Sequence, residues 1–217
     1  MINILIFGGG NMCLNIINYL EDISIFSKKE FNIIGIVDPK KIEKKNEAKS
    51  MKKIKHHFSL KSVKFDRKNT LAIIAMGDVN QREKCRLEIK KKGIELFTLI
   101  HPTSYVSSSS KISKGCILAP FSLIGPKSNL EENVIVNFYA SIGHHSFVGR
   151  SSVISPYATL NGQSHCGRMS LLGTNSVIML KAKLGNQCKL GPGSILYNRT
   201  RDKSTYFGNP ARKINFK

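Results

Sequence analysis

From Val106 to Leu196 an aliphatic residue stands at every sixth position without one insertion. The series begins Val106, Ile112, Leu118, Ile124 and ends Leu184, Leu190, Leu196; Cys166 is its one non-aliphatic member, and it too is apolar. Two places before each member the residue is small, as at Cys116, Ser122, Ser128, Ala140, Ser146, Ala158 and Ser164, with Val134 the larger exception. The place just after is often glycine, as at Gly125, Gly143, Gly149, Gly167, Gly173, Gly185 and Gly191. A helix would repeat at 3.6 and an ordinary strand at 2, so neither accounts for a period of six. Such a period predicts a solenoid of short parallel strands. Residues two apart on a strand point the same way, so the large and small columns both face inward. The following position turns a corner, where glycine tolerates unusual backbone angles. Each buried aliphatic contributes about 1.5–3 kcal/mol before chain entropy is subtracted, so the stack holds as a whole. Its open ends need covers, and the first half of the chain and the tail after Leu196 are placed to supply them.

The first half alternates differently. "NILIFGGG" reads as a strand entering a glycine turn, and "NMCLNIINYL" as a helix with Met12, Ile16, Ile17 and Leu20 on one face and Asn11 as N-cap. "FNIIGIVDP" is a second strand, ending at Asp38-Pro39; a lysine-rich passage from Lys40 to Lys68 follows, with little apolar periodicity. "LAIIAMGD" is a third strand, "VNQREKCRLEIKKKG" a helix stopped by Gly93, and "IELFTLIHP" a last strand running into the solenoid. Strands alternating with helices predict a small Rossmann-like parallel α/β domain over residues 1–102, with the solenoid and its C-terminal tail over 103–217. Gly8, Gly9 and Gly10 offer backbone N–H groups at a helix N-terminus, which suits a phosphate; a tight strand–helix turn without a ligand is the alternative. Asp38 and Asp78 fall at strand ends, where ligands of such sheets commonly bind.

The formal charge of +20 attracts polyanions in general, but no zinc-finger spacing and no aromatic-plus-glycine RNA-binding motif accompanies it. A solvated lysine-biased surface is the simpler reading, and no nucleic-acid partner is expected. Five cysteines form no CxxC and no even-numbered framework, which suits a reducing compartment. "MINILIFGGG" has no basic region before an apolar run too short to span a bilayer, so the chain is expected to be cytoplasmic, without an integral membrane segment.

The hexad pattern resembles the left-handed parallel β-helix of hexapeptide-repeat acyltransferases, in which three six-residue faces make one triangular coil. Together, Gly8–Gly10, "MGDVNQR", "LIHPTSYVSSSSKI", the hexads and "FGNPAR" cover essentially the whole chain. They resemble the sugar O-acyltransferase family of sialic acid O-acetyltransferases and bacillosamine-type nucleotide-sugar N-acetyltransferases. That resemblance implies a nucleotide-sugar-binding α/β domain, an acetyl-CoA-binding β-helix, no metal, and a homotrimer with sites between adjacent β-helices. It places the catalytic base at His144 in "NFYASIGHHSFVG" and a family asparagine at Asn137. Two positions depart: His145 stands where the family carries Asp or Glu, and Val153 where a further histidine is frequent.

Eighteen residues on from His144, one coil later, is Gly162 in "TLNGQS". Parallel strands lie about 4.8 Å apart, so a thioester carbonyl beside His144 would reach the Gly162 N–H with no side chain in the way. Base and oxyanion donor thus follow from the ruler, and the family's oxyanion donor is likewise a glycine amide one coil on. His145 is expected either to orient His144 or to face solvent. Gly173 and Lys181 are candidate CoA-side positions, and Arg212 in "GNPAR" a candidate for a CoA phosphate; surface roles are the alternative for each. The expected activity is transfer of an acetyl group from acetyl-CoA to a nucleotide-linked 4-amino sugar in surface glycan synthesis. The alternatives are O-acetylation of a sialic-acid-like sugar and a non-catalytic trimeric β-helix that binds polyanions. Zinc would need three converging histidines, and His144 and His165 are three residues out of register.

Overall fold

The computed structural model describes residues 1–40 and 53–214, so much of the lysine-rich passage lies outside the described residues. The chain forms two compact units, Met1–Thr98 and Leu99–Lys217.

In the first unit, β1 (Ile2–Phe7), β2 (Phe31–Val37), β3 (His56–His57), β4 (Thr70–Ile74) and β5 (Glu95–Leu96) make one parallel sheet in the order β3-β2-β1-β4-β5. The chain order reverses at β1, with β2 on one side and β4 on the other, and this opens a crevice at the carboxyl ends of the strands. Helix α1 (Asn11–Ser27) buries Cys13, Ile16, Ile17, Leu20 and Ile23, whereas Met12, expected on that face, is only half-buried. Its N-cap is Gly10, not the expected Asn11, and no side chain caps it. Helix α2 (Val79–Lys91) packs Cys85 and Ile89 with Leu5, Phe7, Ala72 and Ile74 of β1 and β4. The same helix buries Arg82, which donates to the carbonyls of Ile74 at 2.7 Å and Met76 at 2.9 Å and so ties down the exit of β4.

The second unit is a parallel β-helix. Every two-residue strand from Tyr105–Val106 to Ile195–Leu196 holds the expected aliphatic position, and partners lie eighteen residues apart, as in Ser141↔Thr159 and Ile142↔Leu160. The solenoid begins one strand earlier than the hexad reading: Leu99–Ile100 pairs with Ile117–Leu118. The single strand expected over "IELFTLIHP" is therefore two, one in each unit. Three walls result, and the aliphatic column fills the space between them, with Leu118, Ile142, Ile154, Leu160, Cys166 and Leu172 wholly buried. Several serines of the inward small column find acceptors on the next coil, whereas the buried Ser176 Oγ has none among the described residues. Ser146 Oγ donates to Asn161 O at 2.9 Å, Ser152 Oγ to Gly167 O at 2.7 Å, and Ser170 Oγ to Gly185 O at 2.8 Å.

The corners differ from expectation in one respect. The left-handed residue is not the glycine after the aliphatic position but the residue two further on: Phe121, Lys127, Asn133, Tyr139, His145, Ser151, Tyr157 and Gln163, each with φ near +60°. Glycine is used instead for close approach between coils. A Cβ on Gly143 would lie 2.6 Å from Gly162 N, and one on Gly167 would lie 2.5 Å from Gly185 C. The tail does more than cover the end. Thr205–Phe207 extends one wall beside Lys189–Leu190 and forms an antiparallel hairpin with Arg212–Ile214 across a cis Asn209–Pro210 bond. Ala211 N–H then donates to Ile195 O at 2.8 Å.

Candidate active site

His144 and Gly162 occupy the same edge of the prism, on the corners that follow Ser141–Ile142 and Thr159–Leu160. The imidazole lies over the glycine: a Cβ built on Gly162 would stand 2.6 Å from His144 Cε1 and 3.0 Å from Cδ2. Any larger residue there would displace the ring. The coils are locked in register by Gln163 N–H donating to His144 O at 2.8 Å and His145 N–H to Pro126 O at 2.8 Å. Between those bonds, Gly162 N–H has no acceptor among the described residues, although its carbonyl takes Lys181 N–H at 3.2 Å. Gly143 is what uncovers that amide, since a methyl on it would lie against the nitrogen. One glycine makes room for the ring and another opens the donor.

Both histidines are exposed, so the ring is accessible. His144 Nδ1 is 3.1 Å from His145 Nδ1, with the rings edge-to-face at 5.3 Å. One of the two nitrogens must carry the proton. If it is Nδ1 of His144, Nε2 is left bare to accept another, and His145 holds the ring in that tautomer. His165, by contrast, lies on a strand and stacks on Phe147 at 4.7 Å. Partial burial pushes its pKa below the usual histidine value, and Lys183 lowers it further. Among the described residues no group of three or more His, Cys, Asp and Glu is placed to hold a metal.

The other predicted positions divide between two edges. Lys181 stands on the His144 edge, in the left-handed column with His145 and Gln163. Asn137 and Gly173 share the neighbouring edge, across the wall that carries Ser141–Ile142 and Val177–Ile178. Asn137 Nδ2 donates to Ile154 O at 3.1 Å. Arg212 is exposed on the terminal hairpin, where its Nη1 meets Ala211 O at 3.3 Å.

In the α/β unit, Gly8, Gly10, Asp38 and Asp78 line a cleft of about 640 Å³ at the carboxyl ends of β1, β2 and β4. Gly8 is left-handed, and a Cβ there would meet Ala75 O at 2.7 Å, so only glycine fits. Gly9 N–H donates to Asp38 Oδ2 at 2.7 Å, and Lys40 N–H to Asp38 Oδ1 at 2.8 Å, so Asp38 braces the turn. Asp78 caps α2, with Oδ1 accepting from Asn80 N–H at 3.0 Å and Gln81 N–H at 2.8 Å. The sequence reading missed Gln81, Lys84, Cys85 and Glu88, which also line the cleft. Their i, i+3, i+4, i+7 spacing on α2 was the available signal. It missed Phe58 too, for which the lysine-rich surroundings gave none.

Residues 3–88 match the family of the PglD N-terminal domain. No curated protein matches the chain. Among solved structures, the acetyltransferase domain of PglB from Neisseria gonorrhoeae FA1090, in complex with acetyl coenzyme A, is 23% identical. It covers 98% of each chain with a TM-score of 0.84. A point mutant of perosamine N-acetyltransferase from Caulobacter crescentus, in complex with CoA and GDP-perosamine, is 20% identical over 99% of this chain and 97% of that one, with a TM-score of 0.82. WeeI from Acinetobacter baumannii AYE is 19% identical over 99% and 100%, with a TM-score of 0.83. The shared fold is thus the whole two-unit architecture. Among the described residues no helix is long and apolar enough to cross a membrane.

Proposed function

We propose that the chain is an acetyl-CoA-dependent N-acetyltransferase acting on the amino group of a nucleotide-linked 4-amino sugar. The α/β cleft takes the nucleotide and the β-helix edge takes acetyl-CoA. The observation that carries this is the imidazole of His144 lying over Gly162 beside an amide with no acceptor among the described residues. The fold shared with an acetyltransferase domain bound to acetyl-CoA and an N-acetyltransferase bound to CoA and GDP-perosamine supports it. His144 Nε2 takes the proton from the sugar amine as it attacks the thioester carbonyl, while Gly162 N–H donates to the developing oxyanion. The imidazolium, still hydrogen-bonded through Nδ1 to His145, then returns a proton to the leaving thiolate. Transfer is direct, with no acyl-enzyme. Lys181 and Arg212 lie in this reading against CoA phosphates, and Gly173, on the edge it shares with Asn137, meets the pantetheine arm from a neighbouring copy. Asn137 meets the site from a neighbouring copy within a homotrimer.

The test is thiol release from acetyl-CoA with a panel of UDP-, dTDP- and GDP-linked 4-amino sugars and their 4-hydroxy counterparts. Turnover with an amino sugar that His144→Ala abolishes supports the reading. Turnover with hydroxy sugars alone would replace it with O-acetylation, and absence of thiol release with every member would overturn it. Light scattering of the purified chain reports the trimer.

A further inference from the structure

We propose that Phe58 is the platform on which the nucleobase of the substrate stacks, an inference that rests on the α/β cleft being the nucleotide site. Phe58 leaves the carboxyl end of β3, the strand outside β2 in the sheet. Its ring lines the cleft and is 60% exposed, which is unusual for a phenylalanine in a concave site rimmed by Asp38, Ser59 and Lys40. The ring is held rather than loose. His56 meets it edge-to-face at 4.7 Å, and His56 Nε2–H donates to Asp38 O at 3.0 Å, which anchors the imidazole to the end of β2. Whichever ring presents its edge, at least one face of Phe58 stays free of His56.

The order across the sheet gives the assignment. Val37 pairs with His57 and Asp38 N–H donates to His57 O at 2.9 Å, so Phe58 comes out beside Asp38. Neighbouring strands are about 4.8 Å apart. Moving outward from the switch point, the cleft offers first the N-terminus of α1 after β1, where Gly8 and Gly9 N–H are held by Val37 O and Asp38 Oδ2 and Gly10 N–H has no acceptor among the described residues. Then come a carboxylate at the end of β2 and an apolar ring at the end of β3. That is the sequence of chemistries in a nucleoside diphosphate read from its phosphates: anion, hydroxyl-bearing ribose, flat base. Each Asp38 oxygen keeps a lone pair beyond its bond to Gly9 or Lys40, so the carboxylate can also accept from a ribose hydroxyl. A base stacked on Phe58 leaves the glycosyl end of the nucleotide pointing across β1 towards β4.

The chain has no tryptophan, which makes the experiment clean. Calorimetric titration of the full chain with UDP, dTDP, GDP and inorganic pyrophosphate, for the native protein, Phe58→Ala and Phe58→Trp, separates the terms. Stacking on an aromatic ring predicts that Phe58→Ala weakens the tightest nucleoside diphosphate roughly 5- to 150-fold. Pyrophosphate, which has no base, binds both alike. Phe58→Trp retains nucleotide affinity, and its single indole is quenched on addition. In turnover, Phe58→Ala raises KM for the nucleotide-sugar and leaves kcat close to native. Equal nucleoside diphosphate affinity in native and Phe58→Ala proteins, with matching circular dichroism, would overturn the platform and leave the nucleotide cleft standing. If the native chain binds none of the three nucleotides, both fall together.

Discussion

His144 Nδ1 and His145 Nδ1 are 3.1 Å apart, so an imidazole occupies the place from which a carboxylate would steady an imidazolium. His145 can hold its neighbour in one tautomer and accept its Nδ1 proton, but it brings no negative charge. Its contribution is that of one hydrogen bond, about 0.5–1.5 kcal/mol net. His145→Ala is therefore expected to lower kcat about 2- to 10-fold. His144→Ala, which removes the proposed proton acceptor, is expected to lower it about 10²–10⁴-fold. Steady-state thiol release on both variants separates the roles, and equal losses would mean that the two rings act as one unit.

Gly162→Ala is expected to abolish most turnover while leaving the fold intact. The methyl would stand within 2.6 Å of His144 Cε1, and the exposed imidazole can swing outward to relieve it. The proposed base then leaves the amide it overlooks, and the expected loss is on the order of 10²–10³ in kcat. A thermal midpoint near native with kcat unchanged would break the link between ring position and chemistry.

Within the solenoid, Leu160→Ala removes a wholly buried side chain from the column beneath the site. Such truncations cost about 2–5 kcal/mol, and denaturant unfolding should show a loss in that range. Asp78→Ala tests a different kind of support. It removes the acceptor of two amides at the start of α2 and should cost about 0.5–2 kcal/mol, whereas Asp78→Ser keeps most of the stability.

His57 and His165 both have pKa values pushed below the ordinary histidine range, in each case chiefly by burial, with nearby Lys55 and Lys183 acting in the same direction. A histidine that is harder to protonate when folded takes up its proton more readily when unfolded. Stability is therefore expected to be level above pH about 6.5 and to fall as pH drops below it, towards the folded-state values. Denaturation midpoints between pH 7.5 and 5.5 report the slope. In His165→Asn the slope should flatten, because one of the two linked protons is gone.

The chain's periodicity made the solenoid legible because neither a helix nor an ordinary strand by itself repeats its apolar pattern at six. The same arithmetic brought His144 and Gly162 onto one edge, for which strand pairing of Ser141 with Thr159 is the structural counterpart. What stayed hidden was local. The left-handed residue of each corner has no compositional mark, since Phe121, Lys127, His145 and Gln163 all adopt it. Cross-coil hydrogen bonds, such as His145 N–H to Pro126 O, hold that conformation in place of glycine's freedom. Gly143 could be counted among the corner glycines but not recognised as the residue that bares Gly162. In the first unit, β3 is two residues long and lies in a passage without periodicity, so neither it nor Phe58 announced itself. The same brevity concealed the break between Leu96 and Leu99, where one apolar run serves two sheets.

The solenoid's fixed pitch bears on how such a site can evolve. His144 and Gly162 meet because eighteen residues return the backbone to the same edge, with the pairing of Ser141 to Thr159 setting the register. Exchanges of outward side chains between them leave that alignment untouched, so the edge can be re-lettered one rung at a time. Loss or gain of a single residue in that interval would turn Leu160 out of the interior and carry the amide away from its ring. For this architecture, chemistry is tolerant of spelling and intolerant of frame.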